Sequence, residues 1–319
     1  MDLLAHDALI GAIADRARGA SRPEVQNAVG LFAGSFRLPA GDGTVLVAST
    51  DSVGTKVLLA AELDGHAVVG QDVVIHCVND VLTLGAEPLF FLDYLAVHTL
   101  QPRWVLAIIE GITQACRQAG CALLGGETAQ MPDLYRPGAY DLAGTIVGRV
   151  PPGRVVRPSG QVGDRIVALP SSGLHTNGFS LVRRILAQAG IDPALHREKL
   201  LCPSRLYSPE VLGLLTDGAC VRGMAHITGG GLPGNLNRAL PPGIDARIDP
   251  GSWEVPAVFV WLREVGGVAR EEMRAVFNLG VGFCLIVPPE EADAVCRRLS
   301  GAWIIGELVP GEGQVVFAC

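Results

Sequence analysis

The sequence predicts an α/β protein built as two successive halves, and three observations carry that prediction. Short β-branched or apolar runs alternate with amphipathic stretches of helical period along most of the chain. The segment 151–164, PPGRVVRPSGQVGD, interrupts this alternation with prolines and glycines that suit neither a long helix nor a central strand, and the pattern restarts after it. The length of 319 residues exceeds what one hydrophobic core usually serves, so the expected units are 1–153 and 154–319.

In the first half, residues 2–18 have the spacing of a short amphipathic helix, and GLFAGSFRLP follows as a flexible or closely packed segment. The run Val45 to Ala48 lies between GDG and Ser49-Thr50-Asp51. It predicts a buried strand that delivers Asp51 to its carboxyl end, where ligands gather in α/β sheets. From Asp72 onward, Val74, Cys77, Val78, Val81 and Gly85 fall at helical spacing, while Asp72, His76, Asn79, Asp80 and Thr83 make a narrow polar stripe. A polar helix face ordinarily meets water. This one has no Lys, Arg or Glu. Short acids and amides between wide apolar flanks suit a cavity wall around a hydrated cation, because Mg2+ keeps several waters and takes one or two carboxylates together with substrate phosphates. Lys56, just past Val53-Gly54-Thr55, adds a positive charge for a phosphate.

PLFFLDYLA, residues 88–96, reads as a strand, and a helix begins at Pro102 and stops at Gly120. CALLGGE is a strand ending in Gly125-Gly126-Glu127, which brings another carboxylate to a strand end, and Tyr140 to Val150 is a further strand. In the second half RIVALP, GMAHIT, the run after FNLGVG, and WIIGELV read as strands. FSLVRRILAQAG, NLNRALP, VPAVFVWLREV, AREEMRAVF and PEEADAVCRRL read as helices. PLFFLDYLA carries five large apolar side chains in nine residues, which at a sheet edge demands a cover. Pairing of two identical subunits supplies one, so a homodimer is expected.

Composition narrows the class. Charged residues are 18 % and apolar residues 49 %, as in a compact enzyme. A net charge of −7 without a basic cluster excludes nucleic acid as the main partner, yet permits phosphorylated substrates, because bound Mg2+ reverses the local sign. Eight scattered cysteines without a CxxC pair indicate small core residues in a reducing cytoplasm. No signal peptide and no apolar run of membrane-spanning length is present, so neither secretion nor a membrane is expected.

Two glycine loops follow strands of the second half. Ser171-Ser172-Gly173-Leu174-His175-Thr176-Asn177-Gly178 sits between strand and helix, where backbone N–H groups can face an anion. Thr228-Gly229-Gly230-Gly231, after His226, has more glycine than a turn needs, which favours close approach to a ligand. Asn278 before Gly280-Val281-Gly282 is a weaker signal, and neither a P-loop nor a dinucleotide fingerprint occurs.

TDSVGTK, GQDVVIHCVNDVLTLGAEPLFFLDY, GCALLGGETAQMP, SSGLHTNGFSLVR, HITGGG and FNLGVG, in that order, resemble the aminoimidazole ribonucleotide synthetase family, the phosphoribosylformylglycinamidine cyclo-ligases. The resemblance implies a two-domain ATP-binding synthetase fold, with an N-terminal sheet that pairs across a homodimer to make a barrel and a C-terminal α/β domain. It implies ATP-dependent cyclisation of a small-molecule substrate, formylglycinamidine ribonucleotide, in purine biosynthesis. Carried over one at a time, Asp51, Asp72, Asp80 and Glu127 stand at the family's metal acids around Mg2+ and ATP. Thr55, Lys56, Asn79, Gly125, Gly126 and Glu127 fall at its nucleotide contacts. Asp80, Lys56, His175 and His226 are the implied catalytic set, and Ser172, Gly173, His175, Asn177, Gly229, Gly230 and Asn278 the implied substrate contacts. Two departures stand out: Ser52 replaces the family's usual glycine, and the run from Gly30 to Phe36 is less glycine-rich. A Lys-x-Ala-Gly-Val-Asp-like segment that helps cover the nucleotide in the family is also missing ahead of the first helix, which leads one to expect slower closure over ATP. A weakened paralogue serving as a dimeric nucleotide-binding scaffold, and a sister kinase of the superfamily, are the competing readings.

Overall fold

The computed structural model describes residues 13, 21–27, 32–39 and 42–318. The expected helix at 2–18 and the start of the run at Gly30 therefore lie almost wholly outside the described residues. The first half builds a five-stranded sheet from β1 (Gly34–Arg37), β2 (Val45–Ser52), β3 (Glu87–Val97), β4 (Ala122–Gln130) and β5 (Tyr140–Val150), in the order β1-β2-β5-β3-β4. Only β3 and β4 run parallel, and the helix α3 (Pro102–Ala119) connects them. Two further helices precede β3, α1 (Lys56–Glu62) and α2 (His66–Leu82).

The α2 helix starts earlier than the polar stripe suggests, because its first turns are used to pack. A Cβ on Gly70 would strike the Ile108 carbonyl, and one on Gly111 the Ala67 carbonyl, so α2 and α3 cross with backbones in contact at paired glycines. Both ends of α3 follow their sequence signals, with Pro102 in its first turn and Gly120 left-handed just after it.

One face of the sheet packs on α2 and buries Val47, Phe91, Leu95, Leu142 and Ile146. Alternation along the strands sends Leu92 and Tyr94 to the other face, where both are exposed. This corrects the sequence expectation for PLFFLDYLA: β3 is interior, flanked by β5 and β4, and the edge strand on its side is β4. What lies open is a sheet face, not the β3 backbone.

The second half forms a six-stranded sheet from β6 (Arg165–Pro170), β7 (Gly223–His226), β8 (Ile244–Ile248), β9 (Val281–Val287), β10 (Trp303–Pro310) and β11 (Val315–Phe317), ordered β11-β8-β10-β6-β9-β7. Its helices are α4 (Phe179–Ala189), α5 (Arg197–Leu200), α6 (Ser208–Thr216), α7 (Gly231–Leu236), α8 (Ala257–Gly266), α9 (Arg270–Val276) and α10 (Pro289–Arg298). The antiparallel pairs β6·β9 and β9·β7 bring the end of β6, the start of β9 and the end of β7 to one side. Both glycine loops and the Asn278 segment therefore gather at one end of the sheet. One apolar cluster runs from Val47 and Val73 through to Phe179, Phe259 and Phe277, so the two halves share a core. Among the described residues no helix is long and apolar enough to cross a membrane.

Candidate active site

The polar stripe of α2 is buried along its whole length: Asp72, His76, Asn79, Asp80 and Thr83 are each at most 7 % exposed. It is neither a solvated face nor an open cavity wall, because the second half meets it residue by residue. Asp72 accepts from the Ser204 backbone N–H and hydroxyl, both at 2.8 Å. Asn79 donates to the Arg205 carbonyl at 2.9 Å and accepts from the Tyr207 N–H at 3.1 Å. His76 Nδ1 lies 2.8 Å from the Thr176 hydroxyl, and His226 Nδ1 lies 2.8 Å from Asp80 Oδ1.

Lys56 is fully buried, with its Nζ 2.6 Å from Asp72 Oδ2. It also donates to the His175 carbonyl at 2.8 Å and the Cys202 carbonyl at 3.1 Å. Three oxygens use up its three protons. Three of the residues expected at the nucleotide thus have their polar atoms engaged within the chain: Lys56, Asp72 and Asn79 fasten α1 and α2 to the second half.

Glu127 lies apart from this centre. The register aligns Asp51, Gly144, Asp93 and Gly126 in one row, and Ser52, Ala143, Tyr94 and Glu127 in the next. Successive rows point to opposite faces, so Glu127 emerges on the open face while Asp51 turns toward α2. Three strand spacings, about 14 Å, also separate β4 from β2, and a single ion in one chain cannot take both carboxylates. Gly125 and Gly126 lie within β4, not beyond its end, and a Cβ on Gly126 would strike the Asp93 carboxylate.

What remains is a compact acid–imidazole centre. His76 Nε2 stands 2.7 Å from Asp51 Oδ2, and the two imidazoles of His76 and His226 meet edge to face at 5.0 Å. Burial alone pushes His76 down, but the hydrogen bond it donates to Asp51 and the charges of Asp51, Asp80 and Asp72 outweigh it and hold the imidazole up at about 9. Burial likewise opposes ionisation of Asp51, and the hydrogen bond and charge of His76 win, holding its carboxyl below the usual range. His226 is pushed down by burial, against the pull of the Asp80 hydrogen bond and charge, so it is neutral near pH 7. With its Nδ1–H donated to Asp80, its Nε2 keeps a lone pair.

His175, at a left-handed φ of 56°, is a third buried imidazole, pushed well down by burial and by the charges of His226 and Lys56. Its Nε2 accepts the Ser172 N–H at 3.2 Å, which places the ring proton on Nδ1, a buried donor without a partner among the described residues. Ser172 also donates to the Pro203 carbonyl at 2.6 Å. The Asn278 amide is spent on the loops: it accepts from the Ser171 hydroxyl and the Gly280 N–H and donates to the Gly173 carbonyl. Asn278 is thus a clamp rather than an open contact. Asn177, Gly229 and Gly230 stay close to one another at the surface of the loops, with a Cβ on Gly229 meeting Asn177 Oδ1 at 3.1 Å. Thr55, at the start of α1, keeps an exposed hydroxyl 3.0 Å from Ser180.

Of the expected site residues, the structure brings together Asp51, Asp80, His175, His226, Gly173 and Asn177, and adds His76, Thr176 and Ser49, whose hydroxyl donates to Asp80 at 3.3 Å. His76 lay in the stripe, but nothing local distinguished it from a core histidine. Asp51, whose side chain is 41 % exposed, offers the solvent-reaching oxygen that Mg2+ needs, with Asp80 behind it. The orphaned His175 N–H and the open glycine backbone likewise fit an anionic ligand.

Residues 32–150 match the family model for the N-terminal domain of AIR synthase related proteins, and residues 161–319 match that for their C-terminal domain. A phosphoribosylformylglycinamidine cyclo-ligase of Synechococcus sp. is 50 % identical over 306 residues, covering 92 % of this chain and 86 % of the relative. One from Gloeobacter violaceus is 50 % identical over 317 residues, covering 95 % and 93 %. Solved structures share the fold at lower identity. Thiamine-monophosphate kinase from Stenotrophomonas maltophilia K279a has a TM-score of 0.65 at 21 % identity, covering 95 % of this chain and 93 % of that one. Hydrogenase maturation protein HypE in complex with ATP has a TM-score of 0.66 at 19 % identity, covering 94 % and 88 %. With both halves matched in order and relatives half identical over nine-tenths of its length, the chain belongs to the AIR synthase related family.

Proposed function

We propose that the chain is an ATP-dependent, C–N bond-forming ligase that cyclises formylglycinamidine ribonucleotide to 5-aminoimidazole ribonucleotide, releasing ADP and phosphate. The observation that carries this reading is the meeting of the Asp51–His76 and Asp80–His226 pairs with both glycine loops, in a chain half identical to cyclo-ligases. The chemistry needs two things. Transfer of the terminal phosphoryl group to the formyl oxygen turns that oxygen into a leaving group. Attack by the amidine nitrogen on the formyl carbon then forms the ring C–N bond as the C–O bond breaks, and the nitrogen gives up a proton. Neutral His226, fixed by Asp80, offers Nε2 to take that proton. His175 Nδ1–H and the backbone of Gly173, Gly229 and Gly230 offer donors to substrate oxygens. Asp51, with Asp80, would hold Mg2+, which would supply charge neutralisation to the polyphosphate.

The kinases and HypE share the fold alone, at 21 % and 19 % identity. A silent scaffold gains nothing from a buried neutral imidazole held by a carboxylate. Mixing the protein with Mg-ATP and formylglycinamidine ribonucleotide yields the aminoimidazole product on this reading; nucleotide binding without product points to the scaffold, and ADP without product to a sister activity.

The assembly we propose is a homodimer that covers the open face of the first sheet. Leu92 and Tyr94 are each 36 % exposed there, and the edge strand β4 carries a single charge, Glu127. Sedimentation at micromolar concentration should give a dimer, and Leu92→Glu combined with Tyr94→Glu a monomer. A fully active wild-type monomer contradicts the assembly.

A further inference from the structure

We infer that the second half carries another ligand site, which takes a nucleoside monophosphate. A pocket of 340 Å³ opens between α8, α9 and the end of β11. Its wall holds Arg263, Arg270 and Arg274 and not one Asp or Glu, in a chain whose net charge is −7. None of the three arginines has an ion-pair partner among the described residues, whereas Arg184 nearby pairs with Glu272 at 3.3 Å. Three guanidinium forks left without carboxylates around one concavity are arranged for a planar or tetrahedral anion, and phosphate is what such forks bind in bidentate fashion.

The rest of the wall is aromatic and held in place. The Arg274 guanidinium lies 4.3 Å from the Phe317 ring centroid, and the Trp253 indole N–H donates to the Leu279 carbonyl at 3.0 Å. Phe259 closes the wall on the α8 side. The half-buried Trp253 indole, held rigid beside the arginines, gives a base a face to stack on, while the guanidinium groups reach its phosphate. The volume falls at the small end of ligand pockets, enough for one nucleotide and too little for a dinucleotide. Asn278 and Leu279 line the same pocket, and Asn278 also clamps Gly173, so a ligand here sits against the back of a glycine loop. The inference stands on this pocket and does not depend on the reaction proposed above.

The test is calorimetric titration of the full chain with AMP at low salt, in wild type and in Asp51→Asn, Arg263→Glu and Arg270→Glu. The expected result is one AMP per chain in wild type and in Asp51→Asn, with affinity lowered by about tenfold or more in each arginine variant, the loss of one charge-assisted contact. Adenosine and inorganic phosphate, titrated separately, should each bind more weakly than AMP. Arg270 is exposed and Arg263 partly so, and circular dichroism and the urea midpoint are expected to be unchanged in both. Absence of AMP binding in wild type, equal affinity in the arginine variants, loss in Asp51→Asn instead, or adenosine or phosphate binding as tightly as AMP would each overturn the inference.

Discussion

Replacing Lys56 with methionine should destabilise the fold by about 3–5 kcal/mol, the cost of leaving a buried carboxylate without its cation. The side chain is fully buried, and its Nζ ties Asp72 of α2 to the His175 and Cys202 carbonyls of the second half. Once the cation is gone, Asp72 keeps only the Ser204 donors, and two carbonyls lose theirs. Neutralising the acid as well, in Lys56→Met combined with Asp72→Asn, should restore much of the loss, because the penalty belongs to the unpaired charge. The urea-unfolding midpoint is the measurement. If the single variant unfolds like wild type and instead loses only nucleotide affinity, Lys56 is a phosphate contact and the structural role assigned here is wrong.

Asp80→Asn should lower kcat by about 10²–10⁴-fold, the range for loss of a positioned acid–base group, with no change in the urea midpoint. Asparagine matches aspartate in size, so no cavity opens, but its amide can present N–H toward His226 and stabilise the wrong tautomer. The lone pair on Nε2 is then lost. If Asp80 acts through His226, then His226→Ala and the double variant should be about as impaired as Asp80→Asn alone, since residues acting as one unit do not add. Multiplying losses, or rescue of Asp80→Asn by high Mg2+, would place the lost function in the metal contact of Asp80 rather than in His226.

Much of this centre is legible in the sequence. The stripe on α2, the Asp51 strand and both glycine loops follow from spacing alone, and β5 and β6 have the limits that their apolar runs indicate. What spacing could not give is the partner across the fold. Lys56 and Asp72 looked like ligands because an acid and a base near glycines have the same local pattern whether they face solvent or each other. Their burial is fixed by Ser204 and Cys202, some 130–150 positions away. Glu127 differs: the face it takes depends on strand order and register, which a period of two does not reveal. Helix α6 was missed because it is only nine residues long and Gly213 interrupts its apolar pattern, although Pro209 stands in its first turn, where a helix can begin. The short strands β8 and β11, of five and three residues, are pinned by neighbours more than by composition.

The most direct test of the proposed reaction follows the formyl oxygen. Formylglycinamidine ribonucleotide carrying 18O at that position should, with Mg-ATP and this protein, give aminoimidazole ribonucleotide and ADP in equal amounts, with the label in the released phosphate. ADP formed without the imidazole, or label that stays out of the phosphate, would contradict the account.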